Sequence, residues 1–270
     1  MDIHIQRLNG ELNGPDIRFT TPLPHSSTIA TFYPMPQRVA CHLASSALSP
    51  NTWPQTMAAL RAARIGSFTC DLADLDGAAT LVESNRPLSL LGVELSIDVR
   101  SEIAPAIAPH QARWLAAHRV MLLLRLSSSD SYDKPSAPRA MPFAAACVNR
   151  LARSIAPLGL AIALDARAGF WMQRVEDGVR VAMRVNRADV GVLFNLGDWH
   201  EVDGDAHLLS ERVKLAMPKL MGVSIPVRNL ATGPSDIDAQ AVTLAGAPLD
   251  TGPLMHQLTL LGYQGPIVRR

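Results

Sequence analysis

Asp165 closes the apolar run Ala163-Leu164-Asp165, and Arg167 and Gly169 follow it closely. A carboxylate at the end of a buried strand, with a guanidinium just beyond, is suited to moving a proton on a bound small molecule. The competing expectation is an Asp–Arg pair that only holds the turn. A second polar group, Asn195, Asp198, Trp199 and His200, follows another apolar run. Asp198 or His200 offers a proton acceptor, and Trp199 offers a flat face for a ring or sugar. Asn195 joins them as a substrate-binding candidate. The structural alternative is that Asp198 caps the next helix and His200 lies on its surface.

Further candidates lie earlier and later in the chain. His42 stands beside Cys41 in a short apolar run, so on a strand the two side chains point to opposite faces of the sheet. Its structural alternative is a hydrogen-bonded core histidine. Asp71, Glu94 and Asp98 sit in or at the end of strand-like segments, where an unpaired acid is costly. Glu94 and Asp98 share a strand face, and Arg125 is the natural counter-charge for one of them. Arg228 and Arg270 follow the last two apolar runs, where barrel loops commonly hold a phosphate or carboxylate; the alternative is simple solvation.

These residues need elements to position them. From residue 38 onward, short apolar runs alternate with amphipathic stretches. Strands are expected at 39–43, 67–71, 90–98, 120–126, 160–165, 190–196, 222–227 and 266–268. Helices are expected at 53–65, 76–85, 106–118, 139–156, 170–187, 200–216 and 251–261. Pro54 marks a helix start and Gly66 a stop. Strands that are apolar throughout, such as VMLLLRL, belong in a parallel sheet covered on both faces. Eight strands with helices between them favour a closed α/β (β/α)₈ TIM barrel, and no glycine-rich phosphate loop follows the first strand. Residues 1–37, punctuated by Gly-Pro, Pro-Leu-Pro and Pro-Met-Pro, read as an irregular N-terminal arm, and 38–270 as the barrel domain.

Composition narrows the function classes. A net charge of +1 and scattered basic residues give no pull toward nucleic acid or an anionic membrane. No apolar run approaches the ~20 residues of a membrane span, and the N-terminus carries no apolar leader-like segment. Cys41, Cys70 and Cys147 are far apart, which suits reduced thiols and a cytoplasmic setting.

Three C-terminal segments carry a family resemblance: VGVLFNLGDWHEVDGD at 190–205, KLMGVSIPVRN at 219–229, and APLDTGPLMHQLTLLGYQGPIVRR at 247–270. They resemble the sugar phosphate isomerase/epimerase (xylose isomerase-like) group, most specifically at Gly262-Tyr263-Gln264-Gly265-Pro266-Ile267. The resemblance implies a TIM barrel whose strand ends hold manganese, magnesium or zinc with carboxylates and histidine, and proton transfer next to the carbonyl of a hydroxy-carbonyl substrate. It also implies ligands at positions where this chain has Asp165, Asn195, Ser224 and Arg270. An amide, a hydroxyl and a guanidinium thus replace an anion, an imidazole and an anion, so the usual metal site is not expected to survive. A divalent metal is left only a shifted set such as Asp165, Asp198 and His200.

The reading is therefore an isomerase- or epimerase-like enzyme acting on a small sugar or polyol-like compound. Asp165, Asp198 and His200 are the catalytic candidates; His42, Glu94, Arg125, Asn195, Trp199 and Arg228 are the substrate-binding ones. A small-molecule substrate is the expected partner, with a homodimer or protein contact through the arm as a further possibility. The alternative reading is a catalytically degenerate barrel serving as a binding or scaffold subunit.

Overall fold

The structure, a computed structural model, describes residues 39–101, 107–226 and 250–270, together with the backbone of two short strands at 242–244 and 247–249. The expected arm (1–37) and Arg228 lie outside the described residues.

Eight parallel strands close a barrel: β1 (Val39–His42), β2 (Ser67–Asp71), β3 (Ser89–Asp98), β4 (Met121–Ser127), β5 (Ile162–Asp165), β6 (Val190–Asn195), β7 (Leu220–Ile225) and β10 (Ile267–Arg269). The last strand pairs with the first, Val39 against Ile267 and Cys41 against Arg269, which completes the ring. Helices cover it outside: α1 (Trp53–Ala62), α2 (Leu75–Ser84), α3 (Pro109–Ala117), α4 (Met141–Ile155), α5 (Val175–Val185), α6 (Leu196–Val202), α7 (Leu209–Ala216) and α8 (Gly252–Leu260). A two-stranded antiparallel hairpin, β8 (Val242–Leu244) and β9 (Ala247–Leu249), lies between β7 and α8. Among the described residues no helix is long and apolar enough to cross a membrane.

Strand periodicity sorts the side chains. On β4, Leu122, Leu124 and Leu126 join the core under the helices, while Met121 and Leu123 pack inside the ring with Ala163 and Leu193. Glycine makes room for this inner packing: a Cβ on Gly92 would stand 3.0 Å from the Leu123 side chain, and one on Gly222 would stand 2.6 Å from that of Leu193. The barrel interior thus has an apolar floor. Above it, toward the C-terminal strand ends, the inward positions turn polar: Thr69, Glu94, Asp165, Asn195 and Ser224 are all buried.

The Gly262–Ile267 segment has a local cause. Gly262 takes a left-handed φ of 69° after α8. Tyr263 is buried, its hydroxyl donates to the Pro266 carbonyl at 2.9 Å, and its ring leaves no space for a Cβ at Gly265. This turn leads into β10 and delivers Arg270 to the mouth.

Several expected boundaries move. The stretch expected as one helix over 200–216 is two, α6 and α7, because Gly204 adopts φ 61° and Asp205 caps the next turn by accepting from the His207 N–H. The helix expected from 170 begins at Val175, since residues 167–172 fold back in a turn in which the Arg167 N–H donates to the Met172 carbonyl. The seventh strand starts two residues earlier than expected, at Leu220.

The three cysteines are buried and unpaired; burial pushes the Cys41 thiol up to about 11 and that of Cys70 to about 12, leaving both unreactive near neutrality.

Candidate active site

Glu94 points into the ring from the middle of β3. Arg125, two strand positions above Leu123 on β4, pairs with it through Nη2 and Glu94 Oε2. The pair anticipated from charge is therefore formed. Asp98 does not join it: its carboxylate accepts from the backbone N–H groups of Arg100 and Ser129 and ties down the loops after β3 and β4. Nearby, buried Asp133 accepts two hydrogen bonds from Arg100, at 2.6 and 2.8 Å, and one from Arg139 at 2.7 Å, fixing the loop between β4 and α4.

Asp165 ends β5 fully buried. Arg270, just beyond β10, reaches across the ring to it: Nη1 donates to Asp165 Oδ2 at 2.8 Å, while Nη2 lies 2.7 Å from Glu94 Oε1. Arg125 Nε stands 3.5 Å from the same Asp165 oxygen. Two carboxylates and two guanidinium groups thus interlock above the apolar floor. Arg270 is not simply solvated: its side chain is about one-tenth exposed and is held between two carboxylates. Desolvation lowers the Arg125 pKa, and the neighbouring Arg167 charge adds to the effect.

His42 ends β1, facing inward while Cys41 packs in the outer core. Its Nδ1 lies 3.1 Å from Glu94 Oε1 and 3.2 Å from Thr69 Oγ1. A carboxylate only accepts, so this setting favours the tautomer with the proton on Nδ1 and leaves Nε2 as a base. Burial, and then the Arg270 charge, push the His42 pKa below its ordinary 6.5. An unfolded chain takes up that proton near ~6.5, which the folded ring resists. His42 therefore contributes stability that is present above ~6.5 and lost as pH falls through the lowered folded value. His42→Asn should flatten the acid limb of a melting-temperature profile between about pH 7 and 5; a limb of unchanged slope would mean the ring is not held neutral.

A cavity of about 340 Å³ opens here, lined by His42, Asp71, Glu94, Arg125, Arg167 and Arg270. Asp165 lies directly beneath through its bond to Arg270. Arg167 Nη1 stands 3.5 Å from Asp198 Oδ2, and Asp198 also accepts from the Ala168 N–H at 2.9 Å. Burial raises the Asp198 pKa, partly offset by Arg167. Asp198 is not the cap of α6: Asn195 is, its Oδ1 accepting from the Asp198 N–H. Trp199 is buried with its ring centroid 6.4 Å from that of Phe194, so it packs in the outer core and offers no face to a ligand. His200 lies on α6 and does not line the cavity. Asp71, Arg167 and Arg270 also line the cavity; the sequence marks all three, but the catalytic and substrate-binding sets drawn from it leave them out. Asp71 had its signal in ending a strand, and Arg167 in following one by two residues.

The metal site that the resemblance implies does not fit these residues. The Arg270 guanidinium already occupies the space between Glu94 and Asp165, and the aligned positions on β6 and β7 carry an amide and a hydroxyl. Among the described residues no three of His, Cys, Asp and Glu are grouped to hold a metal, so the shifted set Asp165, Asp198 and His200 is not assembled either.

No family model and no curated protein matches the sequence. Solved structures do match the fold, that of xylose isomerase-like TIM barrels. D-allulose 3-epimerase from Methylomonas sp., solved with D-allulose, aligns with a TM-score of 0.62 and 18% identity over 88% of this chain and 84% of its own. L-ribulose 3-epimerase gives 0.62 and 13% over 87% and 81%. A xylose isomerase domain protein from Alicyclobacillus acidocaldarius gives 0.58 and 16% over 87% and 88%.

Proposed function

We propose that this barrel is a metal-independent isomerase- or epimerase-like enzyme that moves a proton next to the carbonyl of a small, uncharged, hydroxyl-rich compound of the ketose or keto-polyol type. One observation carries the reading: the Glu94–Arg125–Asp165–Arg270 cluster, with His42 beside it, forms a wall of a cavity at the C-terminal mouth. Guanidinium N–H groups held rigidly by carboxylates are suited to stabilising the oxyanion that forms when a proton leaves the neighbouring carbon. His42 Nε2 serves as the base. The cavity suits a small ligand. Around it, four carboxylates (Asp71, Glu94, Asp165, Asp198) face three guanidinium groups (Arg125, Arg167, Arg270), so the described residues leave no surplus positive charge for a phosphate. The shared fold with ketose epimerases supports the substrate class, though barrels change substrate freely.

The test is hydrogen exchange. Protein stripped with a chelator is incubated in D₂O with a panel of ketoses and keto-polyols, and deuterium at the carbon next to the carbonyl is read by NMR. Exchange with at least one compound, at a rate indifferent to the chelator, is expected. Exchange with none, or only after a divalent ion is added, defeats the proposal.

A second reading draws on the same cluster. Both buried carboxylates are tied up in ion pairs, leaving few groups free to act as bases, which suits a binding or scaffold subunit. It would show as saturable ligand binding without exchange, and as capture of a partner through residues 1–37.

A further inference from the structure

We infer that Arg270 is a tethered replacement for a divalent cation, so that exchanging its charge for a carboxylate opens a metal site formed with Glu94, Asp165 and His42. The inference rests on the ion-pair geometry and does not depend on which reaction, if any, the protein performs.

The geometry is that of one cation shared by two acids. Arg270 spans Asp165 Oδ2 at 2.8 Å and Glu94 Oε1 at 2.7 Å with the two ends of a single guanidinium. Both carboxylates are almost fully buried, and Arg270 itself is only about one-tenth exposed. Glu94 Oε1 also stands 3.1 Å from His42 Nδ1. Adjacent ligands around an ion with bonds of about 2.1 Å stand about 3 Å apart. Glu94 Oε1 and His42 Nδ1 are therefore already spaced as neighbouring ligands once the ring proton moves to Nε2, and the group between Glu94 and Asp165 is the Arg270 guanidinium.

Charge decides why the native chain should refuse an ion. Glu94 and Asp165 are balanced by Arg125 and Arg270, so an entering divalent ion would leave two uncompensated positive charges in a buried space, at a large desolvation cost. With Arg270→Glu, three carboxylates face Arg125 alone, and one divalent ion restores neutrality. Arg270→Met removes the cation without adding a ligand and should fall between the two.

The experiment is a Mn²⁺ titration of full-length protein, followed by electron paramagnetic resonance of the free ion and by thermal melts. Wild-type protein should hold no Mn²⁺ and show no shift in melting temperature. R270E should bind one Mn²⁺ per chain at least ~100-fold more tightly than wild type and melt higher as Mn²⁺ is added, through binding linkage. Adding His42→Ala to R270E should weaken that binding about tenfold or more, in the range typical of lost support at metal sites. An R270E chain that gains native circular dichroism only with Mn²⁺ also supports the inference. Stoichiometric Mn²⁺ on the wild type overturns it. So does an R270E protein with native circular dichroism and no Mn²⁺, or, should R270E not fold under any condition, an R270M protein that binds no more tightly than wild type.

Discussion

Glu94→Gln should destabilise the barrel by about 3–5 kcal/mol, the range for breaking a buried ion pair by removing one partner. Glutamine keeps the shape and removes the charge, so the effect reads the electrostatics alone. Arg125 and Arg270 would then face each other with only Asp165 between them. The lowered Arg125 pKa shows that burial already strains its charged form, so there is little solvent to absorb the imbalance. A melting temperature lower by about 10 °C should accompany the loss, at roughly 2–4 °C per kcal/mol for a domain near this size. Urea melts measure it. Replacing both partners, Glu94→Gln with Arg125→Met, should cost less than the sum of the single changes, because each single change leaves a bare charge. A Glu94→Gln protein within about 1 kcal/mol of wild type would mean the cluster is screened by water and holds nothing together.

The second large effect concerns turnover. Once an exchanging compound is found, Arg125→Met should lower kcat by about 10²–10³, the loss typical of removing one donor to a developing oxyanion. Both kcat and kcat/KM should fall together, since the contact strengthens only as the charge forms. Arg125→Lys should not rescue it: a point-charge ammonium cannot bond Glu94 and still present a planar fork to the substrate. Assays below the melting transition of each variant keep stability out of the comparison. A drop of less than about threefold would remove Arg125 from the chemistry.

Much of the architecture could be read from local pattern. The run from Met121 to Leu126 is apolar except for Arg125, which marks a strand covered on both sides with one charged side chain turned inward. The Tyr263 turn likewise has a cause contained in a few residues, and a segment of that kind is legible without coordinates. Legibility failed where the chain broke for reasons of backbone conformation. The Asp203-Gly204-Asp205 break divides what polarity alone reads as one long helix, and its two acids flanking a glycine were the available signal.

The site was legible in its parts and not in its wiring. That Arg125 would pair with Glu94 or Asp98 followed from the cost of a buried charge; that Glu94 is the partner did not. Arg270 with Asp165 did not follow either, because the bond joins residues 105 positions apart and exists only once the last strand closes against the first. Trp199 illustrates the opposite error. A tryptophan amid polar neighbours suggests a ligand platform, yet on the short helix α6 Trp199 faces the core, and there Phe194 packs against its ring.

The floor of Met121, Leu123, Ala163 and Leu193 has a kinetic corollary. It makes the chamber a cul-de-sac: a molecule that enters must back out along its own path. For a compound turned over as proposed, product and incoming substrate would contend for the same doorway, and the rate should fall as product accumulates even far from equilibrium.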